Sequence, residues 1–427
     1  MKHLISAALS LAISCPVHAA GLAADVLLEA AVGYTVKIKR TSGIGLNEDS
    51  GSSAHATGFL VDKQRGWILT NAHVATRSPT TLSISFKGQS YVKAKRVFVD
   101  RLTDVAVLEI APTAIPATTR EAALQCSEQP RIGTAVAVFG HPGELSYTAT
   151  RGIISSIPWV FPTEVIQSDA VVNGGNSGGP MISLETGKVV GIAAASYRNT
   201  DDKHSTATSL SEPIPPVCKI LDLLRAGKDA RFRQLPVAYA TAEDDDLPIV
   251  AKVFDKVSGF DLGDRIVSVA GQAGIRNASD IATALRGQTQ PVPVVVERNG
   301  KEVVLTVISE VFPDVLATRS IDFSGLIISE PWRLDRAEFN HERYPVIDFI
   351  RPGSPAEITK AYPGYQLVAV NEQGFTDLDK LHAYLSSLPE NADARVILKA
   401  PTDAGQFYRQ YHHIVLPRGS AGWVKPQ

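Results

Sequence analysis

The side chains best suited to chemistry in this sequence are Ser177, His73 and Asp104, each beside a short apolar run. Ser177 sits in the glycine-rich stretch Asn173–Pro180. His73 precedes Asp104 by 31 residues, and Asp104 precedes Ser177 by 73. A serine hydroxyl becomes nucleophilic when a histidine takes its proton and a carboxylate holds that histidine in the required tautomer. These residue types predict acyl transfer, with Ser177 as nucleophile, His73 as base and Asp104 as the orienting group.

The glycines around the serine fit the same reaction. Acyl transfer places negative charge on a carbonyl oxygen, and backbone N–H groups must point at that oxygen. Glycine allows the chain to take the required turn because it has no Cβ atom. We therefore assign the oxyanion-binding donors to the backbone N–H groups of Gly175 and Ser177.

Each motif also has an ordinary structural interpretation. A glycine-serine run is often only a flexible turn, a single histidine among ten is often a packed or surface residue, and Asp104 could simply begin a turn before a strand. The combination is more specific, because the three residues occur in the order His, Asp, Ser beside predicted strands. The sequence has no phosphate-binding loop, no H-E-x-x-H zinc motif and no C-x-x-C pair. We therefore expect no metal site and no cofactor.

This chain order is that of chymotrypsin-like serine proteases, and the surrounding residues resemble the HtrA (Deg-type) family. Thr70–Val74 matches its T-N-x-H-V pattern, and Asp104–Leu108 matches D-x-A-V-L. Gln167–Pro180 matches Q-x-D-A-x-x-N-x-G-N-S-G-G-P, and Gly140–Gly143 is similar to the G-x-P-x-G turn, one residue shorter. The resemblance covers residues 33–226 well and the rest more loosely. It implies ATP-independent endoproteolysis of unfolded or misfolded proteins, often in the bacterial envelope.

The fold implied by this resemblance is mainly β, a chymotrypsin-like double β-barrel followed by two PDZ-like α+β domains. Short apolar runs bounded by turn residues support the barrels, whose number comes from the resemblance. Gly263–Gly271 looks like the G-D-x-I-x-x-V-x-G signature of PDZ domains, and a similar layout recurs after Gly353. We expect a trypsin-like protease domain over residues 20–226 and PDZ-like domains over residues 233–311 and 319–418.

The N-terminus predicts a secretory signal peptide over residues 1–19. A basic residue precedes the apolar stretch Leu4–Ile13, and Val17–Ala19 fits a small-residue cleavage site. The stretch is too short to span a bilayer, so we expect an exported, periplasmic protein without a stable membrane span. For the remaining Cys126 and Cys218, a disulfide and two separate buried thiols are equally open. A net charge of −2 argues against nucleic acid as a partner.

PDZ domains bind an extended peptide as an added strand and hold its C-terminal carboxylate in a loop of backbone N–H groups. In the second unit Ser324–Ile327 resembles that loop, which makes Gly325, Leu326 and Ile327 the candidate peptide-binding residues. In the first unit the corresponding segment contains Pro236, which has no N–H group. We expect C-terminal peptides as partners of the second unit. Whether the first unit binds peptide, or both units only pack and position, stays open.

The resemblance also places the pocket for the substrate side chain that precedes the scissile bond. Val171 lies near its base, and Ala193, Ala194 and Ala195 lie along one wall. None of these positions is charged, and a charged substrate side chain would be buried without a partner. We predict cleavage after small or medium aliphatic residues, namely Val, Ala, Leu and Ile.

The sequence thus predicts an exported serine endopeptidase for protein quality control, acting on unfolded proteins and peptides. Two alternatives stay open: a regulatory protease that cuts one signalling partner, and a chaperone or peptide-binding scaffold. A scaffold has no need for Ser177, His73 and Asp104 together. The resemblance further implies a homotrimer formed through the N-terminal segment.

Overall fold

A computed structural model describes residues 17–46, 54–143, 145–160, 163–197, 208–240, 248–254, 256–330, 344–389, 392–400, 410–417, 419 and 421–424. Within these ranges the strands form two closed six-stranded barrels, two open sheets and two short two-stranded sheets. The first helix, α1, spans Val17–Tyr34, and residues 1–16 of the predicted signal peptide lie outside the described part of the chain. Along the described ranges, no helix combines the length and apolar content needed to cross a membrane.

The first barrel closes in the order β1-β2-β3-β6-β5-β4. Its strands, with the short helix α2 after β3, are β1 Thr35–Ser42, β2 Ala54–Asp62, β3 Trp67–Thr70, α2 Ala72–Ala75, β4 Thr80–Ser85, β5 Val92–Asp100 and β6 Val105–Glu109. β3 is buried along its whole length and β6 along nearly all of it. They are continuous apolar runs because one face fills the barrel and the other is covered by neighbouring elements.

The second barrel closes in the order β11-β14-β13-β12-β7-β8. Its region contains β7 Ala135–Gly140, β8 Thr148–Ser156, the small pair β9 Trp159–Val160 and β10 Thr163–Glu164, β11 Ile166–Ser168, β12 Pro180–Ser183, β13 Val189–Tyr197 and β14 Thr208–Pro213. Val138, Ile154 and Met181 are among the buried residues of its interior. Phe139 and Ile192 instead join the core that surrounds the first barrel. The two barrels therefore pack against each other through alternate residues of β7 and β13.

Helix α3, Ile214–Arg225, leaves the second barrel and packs on the same core. Pro215 and Pro216 occupy its first turn. Proline is tolerated there because those N–H groups need no partner within the helix. Cys218 of α3 forms a disulfide with Cys126, whose Cα atom is 5.7 Å away. The structure thus decides between the two states that the sequence left open for these cysteines.

The first C-terminal unit is a sheet in the order β16-β17-β18-β20-β21 with one helix. Its elements are β15 Arg233–Gln234, β16 Val237–Ala240, β17 Ile249–Val253, β18 Arg265–Val269, β19 Gln272–Ala273, α4 Ala278–Leu285, β20 Val292–Arg298, β21 Lys301–Val307 and β22 Glu310–Val311. β15 pairs with β22 apart from this sheet. β16 and β21 lie at the two ends of this sheet. Buried residues such as Ile266, Leu285 and Val294 form a separate hydrophobic core.

The second C-terminal unit repeats the layout with two further strands, in the order β29-β28-β26-β25-β24-β23-β30. Its elements are β23 Ser320–Phe323, β24 Leu326–Ser329, β25 Val346–Ile350, β26 Gln366–Val370, β27 Gln373–Gly374, α5 Leu378–Ser387, β28 Ala394–Lys399, β29 Tyr411–Leu416 and β30 Ala421–Val424. The final strand β30 extends this sheet beyond residue 418. It pairs with β23, and both strands contact α5.

Candidate active site

His73 lies on α2, directly after the buried strand β3. Its backbone N–H donates to Asp104 Oδ1 at 2.9 Å, and its Nδ1 lies 2.8 Å from Asp104 Oδ2. An ionised carboxylate can only accept hydrogen bonds, so the imidazole Nδ1 carries the proton and Nε2 is left as the basic nitrogen. The paired residues are therefore arranged for His73 to accept a proton on the side away from Asp104.

Asp104 is held on the turn between β5 and β6. Its φ angle is +47°, a left-handed conformation that is uncommon for a residue other than glycine. Asn71 supports this turn, because its Nδ2 donates to the Asp104 carbonyl at 3.0 Å. Arg40 Nη1 donates to the His73 carbonyl at 2.9 Å. Two side chains outside the pair thus fix the backbones that carry it.

Ser177 lies on the turn that precedes β12. Its carbonyl accepts from Thr57 N at 2.9 Å, while Gly178 N donates to Ala193 O at 2.7 Å. The Ser177 hydroxyl donates to Ala194 O at 2.9 Å. Among the described residues it makes no hydrogen bond to His73. The backbone of the turn is therefore fixed from both barrels, and the hydroxyl points along β13.

The peptide group between Gly174 and Gly175 is oriented by the preceding loop. Gly143 N donates to Gly174 O at 3.0 Å. Because the N–H of a trans peptide points opposite to its C=O, the Gly175 N–H faces away from Gly143. Neither this N–H nor that of Ser177 donates a hydrogen bond within the described part of the chain. Two neighbouring donors are thus left for a ligand oxygen, at the residues that the sequence assigned to this role.

Glycine is required at Gly175 by the close approach of the same loop. Its φ angle is +102°, and a Cβ atom there would lie 2.3 Å from His141 O. Gly178 is tighter still, with a φ angle of +85° and a Cβ position 2.0 Å from Thr70 Oγ1. By contrast, a Cβ atom on Gly174 would meet nothing within 4 Å. Two of these three glycines are therefore needed for packing as well as for the turn.

Thr57 of β2 joins the two barrels at this turn, although no motif in the sequence indicates it. In addition to its N–H bond to Ser177, its Oγ1 donates to Gly175 O at 2.7 Å and accepts from His141 N at 3.1 Å. Its carbonyl accepts from Thr70 Oγ1 at 2.8 Å. A threonine in a strand is an ordinary β-forming residue, so only the tertiary contacts reveal its position behind the serine.

Two titratable side chains near the site have shifted pKa values. Burial, and secondly Lys37, lowers the pKa of His141 from 6.5 to about 4. Its Nδ1 accepts from Tyr147 N at 3.0 Å, which requires the neutral ring. Burial, followed by the nearby charges of Asp104 and Asp100, raises the pKa of Glu212 well above its ordinary value. The site therefore contains a histidine held in its neutral form, and a carboxyl group whose pKa is raised.

The candidate specificity residues occupy different environments. The Val171 side chain is 53% exposed, and its carbonyl accepts from Thr150 Oγ1. Ala193 is fully buried in the interior of the second barrel, so only its backbone faces the serine turn. Ala194 is 7% exposed and lies where the register between β13 and β14 shifts by one residue. Ala195, the next residue of β13, pairs with Leu210 of β14.

The candidate peptide-binding residues lie in the hairpin between β23 and β24. Leu326 and Ile327 are fully buried, and β24 pairs with β23 on one edge and with β25 on the other. Gly325 N donates to the carboxylate of Asp322 at 3.2 Å. Arg351 also pairs with Asp322. A side-chain carboxylate of the same chain thus occupies the donor that the sequence assigned to a peptide terminus.

Comparisons with known proteins agree with this geometry. The trypsin-like peptidase domain family matches residues 56–192, which contain all three candidate catalytic residues. Over 365 residues the chain is 32% identical to a probable periplasmic serine endoprotease, DegP-like, of Halomonas elongata, covering 78% of this chain and 74% of that protein. It is 30% identical over 301 residues to the serine endoprotease DegS of Escherichia coli, covering 63% of this chain and 81% of DegS.

A solved structure of the HtrA-type protease AlgW with a tripeptide is similar in fold. The TM-score is 0.55 at 22% identity, over 68% of this chain and 97% of that chain. Within the described residues, no group of three or more His, Cys, Asp or Glu side chains is placed to hold a metal ion.

Proposed function

The chain belongs to the DegP-like (HtrA) family of periplasmic serine endoproteases, and on that premise we propose that it hydrolyses peptide bonds in the periplasm through Ser177, His73 and Asp104. The observation that carries this proposal is the pairing of His73 with Asp104, at 2.9 Å and 2.8 Å. Those two bonds leave His73 Nε2 as the only ring nitrogen that can take a proton.

In the proposed reaction the Ser177 oxygen attacks the substrate carbonyl carbon while its proton passes to His73 Nε2. The carbonyl oxygen becomes negatively charged and accepts hydrogen bonds from the N–H groups of Gly175 and Ser177. When the C–N bond breaks, the same proton passes from His73 to the leaving amine. Water then attacks the acyl-enzyme by the reverse proton route, and Asp104 stabilises the charged imidazole in both halves.

One local rearrangement precedes attack. The Ser177 hydroxyl donates to Ala194 O, and it must turn by rotation about the Cα–Cβ bond to donate to His73. Such a rotation moves only the side chain and stays among staggered rotamers. The hydrogen bonds to Thr57 and Ala193 hold the backbone of the turn.

The substrates we propose are unfolded or misfolded envelope proteins, cut without ATP after Val, Ala, Leu or Ile. The uncharged surroundings of the predicted pocket support this preference, because a buried charge without a partner is costly.

The test is digestion of a chemically unfolded protein by the mature full-length chain, with Ser177→Ala as the matched control and without ATP. We expect cleavage by the unaltered chain alone, and mass spectrometry should place the cuts after aliphatic residues. Equal cleavage by Ser177→Ala would overturn the assignment of the nucleophile. Cuts mainly after Lys, Arg or Glu would overturn the proposed specificity.

We also propose that the first C-terminal unit binds extended peptides at β16. Within the described residues this strand ends the sheet and pairs only with β17, so its outer edge can accept another strand. At Gly325, Leu326 and Ile327 of the second unit, peptide binding requires that β23 leave β24.

Fluorescence anisotropy with a labelled peptide tests this difference on the full-length Ser177→Ala chain. The N–H of Tyr239 points to the outer edge of β16 and that of Ile328 points to the β23 side of β24, because Pro236 O and Gly325 O accept from the strands on the other side. A proline at either position removes that N–H. We expect only Tyr239→Pro to weaken binding. Loss of binding in Ile328→Pro alone would transfer the site to the second unit.

A further inference from the structure

The turn that presents Asp104 is held by a second carboxylate, Asp100. Asp100 ends β5 and pairs with Val105, the first residue of β6. Its Oδ1 accepts from the backbone N–H of Leu102 at 3.0 Å and of Thr103 at 3.4 Å. A side chain that caps successive N–H groups of a turn fixes its backbone. Asp100 therefore determines the shape of the segment that ends in the left-handed Asp104.

The other oxygen of Asp100 is bound by a residue of the first C-terminal unit. Arg286, directly after α4, places its Nη2 2.7 Å from Asp100 Oδ2, although the two residues are 186 positions apart. The side chains are 3% and 4% exposed. Arg286 also donates through Nη1 to Ala230 O and stacks over Phe232 at 5.6 Å. The guanidinium is thus fixed on three sides and cannot readily follow Asp100 if the turn moves.

The same turn makes an apolar contact with the same unit. Leu102, between Asp100 and Asp104, is 5% exposed and packs in a small cluster with Phe232 and Ala282. Phe312 covers this cluster. The ion pair and the apolar contact lie on one turn, so docking of the first unit constrains that turn at two points.

The charges around Asp100 explain why it needs Arg286. Glu212 lies close enough to Asp104 and Asp100 that both charges disfavour its ionised form. Lys219 lies near Arg286: it donates to Thr283 O, and its pKa is lowered by burial and secondly by Arg286. A carboxylate buried beside other acids and without a partner is strongly unfavourable. Without Arg286, the buried side chain of Asp100 would lose its charged partner, and its hold on the turn would weaken.

We propose that Arg286 is a positioning residue for Asp104: it holds Asp100 in its capping position, and Asp100 in turn holds the turn from which Asp104 orients His73. This inference rests on the proposed function, in which Asp104 serves the base. It makes the first C-terminal unit a support for the base side of the active site, by which we mean the turns that carry His73 and Asp104. The contact does not involve the proposed peptide-binding edge of β16.

The experiment compares the full-length chain with Arg286→Met by the pH dependence of kcat/KM on a peptide substrate. We expect kcat/KM to fall by about tenfold or more with KM little changed, because misplacement of a catalytic group costs rate more than binding. The acid limb should shift to lower pH, since a misaligned Asp104 stabilises the charged form of His73 less. The ¹H NMR signal of the proton between His73 and Asp104 should broaden or disappear.

Two further variants separate positioning from loss of stability. Arg298→Met breaks a comparable pair with the buried Asp264 inside the same unit, at 2.7 Å, and should leave the acid limb and the NMR signal unchanged. Asp100→Asn combined with Arg286→Met removes the buried charge but keeps an amide oxygen for Leu102 and Thr103, so it should recover part of the lost kcat.

An Arg286→Met chain with an unaltered acid limb and NMR signal, or an Arg298→Met chain with the same shift, would overturn the proposal. The NMR signal does not depend on turnover. If the unaltered chain is no more active than Ser177→Ala, the proposed function fails, while the effect of Arg286 on His73 can still be read from that signal.

Discussion

The two halves of the candidate site are supported in different ways. The turns that carry His73 and Asp104 belong to the first barrel and are held by side chains, several of them charged. The turn that carries Ser177 belongs to the second barrel and is held by backbone hydrogen bonds, by the uncharged hydroxyl of Thr57 and by glycines such as Gly178, whose Cβ position is already filled. Each charged supporting side chain can be replaced without adding atoms to the turn. At Gly178, by contrast, even one added carbon atom forces the turn to move.

The charged supports extend to both C-terminal units. Arg286 of the first unit reaches Asp100 at 2.7 Å, four residues before Asp104. Asp348 of the second unit reaches Arg77 at 2.5 Å, four residues after His73, and these two side chains are each 4% exposed. The serine turn has no such partner from either unit among the described residues. We infer that the positions of His73 and Asp104, the base side, depend on contacts with the C-terminal units. The position of the turn that carries Ser177, the serine side, depends on the packing between the two barrels.

The largest effect should come from filling space on the serine side. In Gly178→Ala the new Cβ atom would lie 2.0 Å from Thr70 Oγ1 and 2.1 Å from Thr57 O, at a φ angle of +85°. The turn must move, and we expect kcat to fall by about 10²- to 10³-fold as the oxyanion donors lose their alignment. Gly174→Ala, four residues earlier with open space around its Cα, is the matched control and should keep nearly full activity in the same peptide assay. Equal loss in both variants would remove the packing explanation.

Acid should weaken the serine side next. The His141 pKa of about 4 lies below the 6.5 of an unperturbed histidine, so between these pH values the unfolded chain binds one more proton than the folded chain. The contribution of His141 to the free energy of unfolding is therefore fully present above pH 6.5. It is lost as the pH decreases toward 4, which lowers the free energy of unfolding by about 3 kcal/mol. Urea unfolding of the unaltered chain and of His141→Gln at pH 7, 5.5 and 4.5 measures it. The two curves should converge at acid pH, and parallel curves would contradict the prediction.

Candidate reacting residues could be chosen from the sequence because the chemistry restricts their types. Ser177, His73 and Asp104 must each be a particular kind of side chain, and the turn at Gly175 needs a glycine. The motif even included Asn71, whose amide supports Asp104. The barrels followed from strand patterns and from the resemblance, and the closed order of their strands agrees with that expectation.

The supporting residues could not be predicted in the same way. Thr57 is one of many threonines in strands, and Asp100 and Arg286 are 186 positions apart, so no local pattern relates them. In the second C-terminal unit the resemblance suggested a free strand edge near Gly325. The folded chain instead places β23 on that edge and adds β30 from beyond residue 418. Such pairings depend on which segments meet in three dimensions.

A smaller loss should follow removal of the hydroxyl that joins the barrels. Thr57→Val keeps the shape of the side chain but leaves Gly175 O and His141 N without their partner. Leaving a buried polar group unpaired costs about 1–3 kcal/mol, and we expect a roughly tenfold lower kcat/KM. Thr57→Ser retains the hydroxyl and should behave like the unaltered chain. If Ser and Val at this position lower the activity equally, the methyl packing of Thr57 matters and its hydrogen bonds do not.

The smallest effect should come from weakening a charged support without removing it. Asp348→Asn leaves Arg77 an oxygen acceptor but takes away the charge of a buried pair. The variant leaves a buried guanidinium without its counter-ion, so we expect a loss of at least about 1 kcal/mol in the free energy of unfolding. No reacting group is touched, so kcat/KM of the folded chain should change little. Asp379→Asn, in the exposed pair with Arg319 of the same unit, is the control and should change stability by less than about 0.5 kcal/mol. A loss of activity in Asp348→Asn as large as that in Gly178→Ala would mean that the base side tolerates change no better than the serine side.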